Sequence, residues 1–153
     1  MALNLDSPLS LYSIPAVWFT AFYPVTLKTG ILRSTAVGYN NIQPRQNVER
    51  AKASHTLDQA TTDLISRYEG AHLNGMENLP LWFAAILAGH FAGLSHRTLN
   101  YFSAAYISTR LLYNYVYVNQ KTAAHSWVRS VVYFTGLSMP LTILIKAANR
   151  LQS

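Results

Sequence analysis

The residues able to do chemistry in this chain sit inside its apolar stretches. Asn74 and Glu77 stand three apart. Arg110, Asn114 and Tyr117 step by four and then three, and Arg129 and Tyr133 stand four apart with Ser130 between them. Such spacings put side chains on one face of a helix. A carboxylate, two guanidiniums, amides and phenols gathered in one place can grip a charged organic molecule and stabilise an anion. Two arginines against one carboxylate leave a positive surplus, and a buried surplus cation calls for an anionic ligand. The competing outcome is a Glu77–Arg110 or Glu77–Arg129 pair that only fixes helix packing.

These residues need elements to position them. Four segments are long and apolar enough to cross a bilayer: about 9–32, 70–94, 98–119 and 126–148, each near the ~20 residues required. Pro15, Pro24 and Pro140 lie inside them, which membrane helices tolerate. Charged residues make up only 12% of the chain, against about 25% in soluble domains. Tyr and Trp recur near the segment ends, as an interfacial belt requires. The expected fold is all-α, an integral membrane four-helix bundle in a single domain over 1–153.

The connection at about 33–68 carries Arg33, Arg45, Arg50, Lys52 and Arg67. The positive-inside rule therefore places this loop in the cytosol and both termini on the opposite side. Topology then accounts for the net charge of +6, and with no basic stripe apart from the spans, nucleic acid is not an expected partner. In this topology Asn74, Glu77, Arg110, Asn114, Tyr117, Arg129, Ser130 and Tyr133 share one depth, in the cytosolic half of the membrane. "HTLDQATTDLISRYEGAH", 55–72, reads as a helix leading into the second span.

Other chemistries are poorly supported. There are no cysteines, so disulfides and thiolate metal sites are excluded. No histidines and carboxylates have metal-ligand spacing, and there is neither a glycine-rich phosphate loop nor a nucleophile elbow. "MALNLDSPLS" has no basic n-region, so the first apolar run reads as retained. His72 reads as an interfacial hydrogen-bonder and His90 as a packing or interface residue. Asp58 and Asp63 read as solvated helix-face charges. Trp82, Phe83 and Tyr113 are candidates to shape an apolar groove.

Three strings, "AHLNGMEN" (71–78), "RLLYNYVY" (110–117) and "RSVVY" (129–133), occur in this order with this span plan. Together they resemble the MAPEG family, the membrane-associated proteins of eicosanoid and glutathione metabolism, which include the microsomal glutathione transferases. The resemblance implies a homotrimer of four-helix subunits in an endoplasmic-reticulum-type or bacterial inner membrane, with glutathione as cofactor, bound between subunits near the cytosolic side. It assigns Asn74, Glu77, Arg110, Asn114 and Tyr117 to glutathione binding, with Glu77 on the amino group. It assigns Arg129, Ser130 and Tyr133 to the chemistry at sulfur. The implied activity is a glutathione-dependent transferase or peroxidase acting on lipophilic electrophiles that arrive from membrane lipid. The alternatives are a glutathione-independent isomerase or cyclase of a lipophilic metabolite, and a non-catalytic lipid-binding partner protein. One departure stands out: Gly70 occupies the place where the synthase and transferase branches carry Arg. Lys28 is the candidate to supply a compensating charge.

Overall fold

The computed structural model describes residues 4–152. Four long helices and one short one make up the fold: α1 Ser13–Arg33, α2 Asn47–Ala53, α3 Gln59–Phe91, α4 His96–Asn119 and α5 Ala123–Gln152. The loop is shorter than the sequence suggests, because 59–69 is absorbed into α3 and the lead-in helix runs unbroken into the second span. The first span begins as a 3-10 turn over Leu9–Tyr12 before α1 proper.

The helix ends follow from their residues. Asp58 caps α3 by accepting from the Thr61 backbone N–H at 2.7 Å. At the other end Gly93 adopts φ +69°, and Gly93 and Leu94 donate back to His90 and Gly89. That αL glycine closes the helix in a Schellman motif and turns the chain sharply into α4, which Ser95 caps through the Thr98 N–H.

α3 and α4 each contact every other long helix, while α1 and α5 flank them. The inward face of α1 presents Val17, Ala21, Pro24, Lys28 and Leu32, in steps of four, three, four and four. It meets α3 closely at Gly75, where an added Cβ would lie 2.7 Å from Cα and Cβ of Ala21. Trp82 of α3 is fully buried, stacked on Tyr106 of α4 with ring centroids 4.0 Å apart, and its Nε1 donates to Ser13 Oγ. The Asn100 side chain of α4 accepts from Ser10 N–H and donates to the Leu5 and Ser7 carbonyls. It thereby ties the N-terminal segment across the top of the bundle. A second small core of Leu32, Val48, Ala51 and Ile65 seats α2 against the ends of α1 and α3.

Among the described residues, α5 alone is long and apolar enough by composition to cross a membrane, its most apolar 18-residue stretch having mean hydropathy 1.5. The sequence suggests four such segments. The averages of α1, α3 and α4 are lowered by polar residues, and several of those face inward: Lys28, Asn100, Ser103, Arg110 and Asn114 are buried. The outward faces carry Trp18, Phe19, Leu73, Leu87, Leu112 and Phe134 instead. Polar groups inside and large apolar groups outside is the distribution that hydrocarbon surroundings favour.

Lys28 and Glu69 form an ion pair between α1 and α3, with 4% and 21% of their side chains exposed. The Lys28 charge is therefore already partnered by Glu69.

Candidate functional site

On α3, Gly70, Asn74 and Glu77 recur at steps of four and three, and Leu73 lies beside them. On α4, Tyr113 and Tyr117 face the same way. On α5, Arg129, Ser130, Tyr133 and Phe134 complete the ring. Together they line a cavity of about 490 Å³ between the three helices. Of the residues marked by sequence spacing, Asn74, Glu77, Tyr117, Arg129, Ser130 and Tyr133 are thus brought together.

Arg110 is placed one layer behind. It is 4% exposed, and its Nη1 and Nη2 donate to the side-chain oxygen of Asn74 at 3.2 and 3.1 Å. Its guanidinium lies 4.8 Å from the Tyr113 ring centroid. It holds Asn74 by its acceptor oxygen, so the amide N–H₂ is the part of Asn74 left for other partners.

Asn114 lies outside the cavity lining and turns toward α1. Pro24 has no N–H, so the Thr20 carbonyl four residues earlier loses its helical donor. Asn114 Nδ2 donates to that carbonyl at 2.7 Å. His72 completes this polar cuff, donating from Nδ1 to the Ala21 carbonyl at 2.8 Å, which agrees with its reading as an interfacial hydrogen-bonder. Trp82 is buried in the core and Phe83 packs against it, so of the three groove candidates only Tyr113 reaches the cavity.

The electrostatics are specific. Arg129 Nη1 donates to Gln120 Oε1 at 2.8 Å and Nη2 to Ser126 Oγ at 3.2 Å, with the guanidinium 5.1 Å from the Tyr117 ring centroid. Ser130 Oγ donates to the Ser126 carbonyl within the helix. Among the described residues the ion pairs are Lys28–Glu69, Lys52–Glu49 and Arg97–Asp6. Glu77 is therefore paired with neither Arg110 nor Arg129, although it shares a cavity with Arg129. Neither packing pair forms within this chain.

Sequence spacing missed Gln120 and Ser126, which orient Arg129. Ser126 stands three before Arg129 on the same face, a signal available in principle; Gln120 lies across the connection to α4 and gave none. Leu73 and Phe134 are apolar and carried no chemical signal. A larger cavity of about 730 Å³ adjoins on the α2-bearing side of the bundle. It is lined by Asp63, Arg67 and Lys121 among others, and it shares Arg129 with the first.

No curated protein and no solved structure matches this sequence. A family model described as the MAPEG family matches residues 13–149, through every long helix and all three motif-bearing stretches. The chain belongs to the MAPEG family.

Proposed function

We propose that the chain is a membrane-bound, glutathione-dependent transferase or peroxidase for lipophilic electrophiles. Family membership supports a membrane function in glutathione or eicosanoid-type metabolism. The finer reading rests on one observation: Glu77 and Arg129 line the same cavity, and neither is neutralised by the other. A carboxylate and a cation held apart in one cavity fit a ligand that carries an ammonium and an anion at a fixed separation. Glutathione has that pattern, with its α-amino group at one end and its thiolate further along.

In this reading Glu77 and the free amide N–H₂ of Asn74 bind the glutamyl end. Arg110 fixes Asn74 from behind, and Tyr117 lies alongside the peptide. Glutathione supplies a sulfur nucleophile. Arg129 provides the positive charge that favours the thiolate over the thiol, and Tyr133 offers a hydroxyl donor at the same end, as Ser130 does once its Oγ turns from the Ser126 carbonyl. The apolar outward faces beside the cavity give lipid-dissolved electrophiles a lateral route to it. The four long helices cross the bilayer, the loop 34–58 and α2 face the cytosol, and three copies assemble with the cavity at their contacts.

The ultraviolet difference signal of bound thiolate tests this reading. Arg129→Ala should abolish it while leaving the helix content intact, and Arg129→Lys should retain part of it. An unchanged signal in Arg129→Ala sinks the role given to Arg129. One observation favours the non-catalytic reading. Gly70 brings no cation, and Tyr117 fills its space. Calorimetry in detergent separates the two: no heat of binding at millimolar glutathione favours a lipid-binding partner.

A further inference from the structure

We infer that Tyr117 is a positioning residue for Arg129, and that it can act so because residue 70 is glycine. A Cβ at position 70 would overlap the Tyr117 hydroxyl and lie 2.9 Å from Cζ and 3.0 Å from Cε1. The hydroxyl end of the ring therefore abuts α3 in space that the Cβ of any other residue would claim. The Arg129 guanidinium rests over this ring, while Gln120 Oε1 and Ser126 Oγ hold its edge. Edge bonds alone let a guanidinium tilt; a ring under its face fixes the plane.

The run of ring contacts continues through α4, with the two tyrosine rings tilted by 53°. Tyr117 and Tyr113 rings are 5.6 Å apart, and Arg110 lies over Tyr113 on the inner side. Two tyrosines thus separate two arginines, neither of which has a carboxylate partner among the described residues. The electron-rich ring faces provide the favourable charge contact that carboxylates provide elsewhere. Position 70, on a different helix from both Tyr117 and Arg129, controls whether this column can form. The catalytic consequence rests on the reading of Arg129 as the thiolate-binding cation; the positioning itself does not.

The test uses the full chain in detergent micelles with two readouts. The first is the rate at which phenylglyoxal labels Arg129, followed by peptide mapping against the other arginines. Tyr117→Leu and Gly70→Ala should each speed that labelling roughly threefold, the factor a cation–π contact of this kind supplies. Tyr117→Phe, which keeps the ring, should label like the wild type. The double variant Gly70→Ala/Tyr117→Leu should label no faster than Tyr117→Leu, since glycine acts only through the ring. The second readout is the pH midpoint of bound thiolate, which should rise by about half a unit in the same two variants. Equal labelling in all variants overturns the inference, and additive rates in the double variant overturn the part given to Gly70. A wild type that labels as described but shows no thiolate signal leaves the positioning standing and removes the function proposed for Arg129. Circular dichroism checks that Gly70→Ala has folded; if it has not, Tyr117→Leu against Tyr117→Phe decides the matter.

Discussion

Arg110 grips Asn74 by a single oxygen, with two guanidinium nitrogens at 3.2 and 3.1 Å from Oδ1. Hydrogen bonds to a buried charge are worth more than neutral ones, and their loss strands the cation. Asn74→Ala should therefore lower stability by about 2 kcal/mol, read as a fall in melting temperature in detergent. Asn74→Asp, which supplies two acceptors and a charge, should restore it. Arg110→Lys should not restore the wild-type value, because an ammonium lacks the planar fork.

Asn114 substitutes for the donor that Pro24 lacks. Asn114→Ala should cost about 1–2 kcal/mol by leaving the Thr20 carbonyl unmatched in the interior. In a Pro24→Ala background, α1 regains its own N–H at that turn, and the same Asn114 substitution should cost clearly less. Equal costs in both backgrounds would show that Asn114 contributes by packing alone.

The close approach of α1 and α3 makes a sharp contrast between two glycines. Gly75→Ala drives a methyl against the Ala21 backbone and should destabilise by roughly 1–3 kcal/mol. Gly30→Ala meets nothing within 4 Å, and in a helix it should be neutral or stabilising by up to about 1 kcal/mol. Thermal unfolding of the two variants side by side checks both signs.

Asp58 gives α3 a pH-sensitive start. Hydrogen bonds from the Thr61 N–H and hydroxyl hold its carboxyl below the usual carboxylate value. With the folded value depressed, the stabilisation is fully present above the unfolded value and is lost as pH falls through the folded one. Amide exchange at Thr61 should accelerate over that acidic window. Asp58→Asn, which caps without titrating, should flatten the dependence.

Much of this was legible in the sequence. Charge-poor stretches near bilayer length located the long helices, and steps of three and four selected most of the cavity lining. Asn114 shows why the rest was not. Its spacing matches the ligand face, yet its job is set by a missing N–H on another helix, which no spacing along α4 reveals. Lys28 is similar: near the site in sequence logic, it is claimed by Glu69. Hydropathy averages also set α1, α3 and α4 apart from α5, since an average cannot tell an inward arginine from an outward one. The outward residues are apolar all the same, which is why the membrane expectation and the low averages coexist.

The Lys28–Glu69 pair settles how α1 lies along α3. A shift of one turn, about 5.4 Å, would carry the Lys28 ammonium away from the Glu69 carboxylate. Only one alignment answers both charges, so the pair works as a key cut for a single register. Apolar residues are interchangeable enough to permit sliding; this pair is not. The key reads the same with its charges reversed. Lys28→Glu and Glu69→Lys should each disrupt assembly alone, and the two together should recover a folded chain.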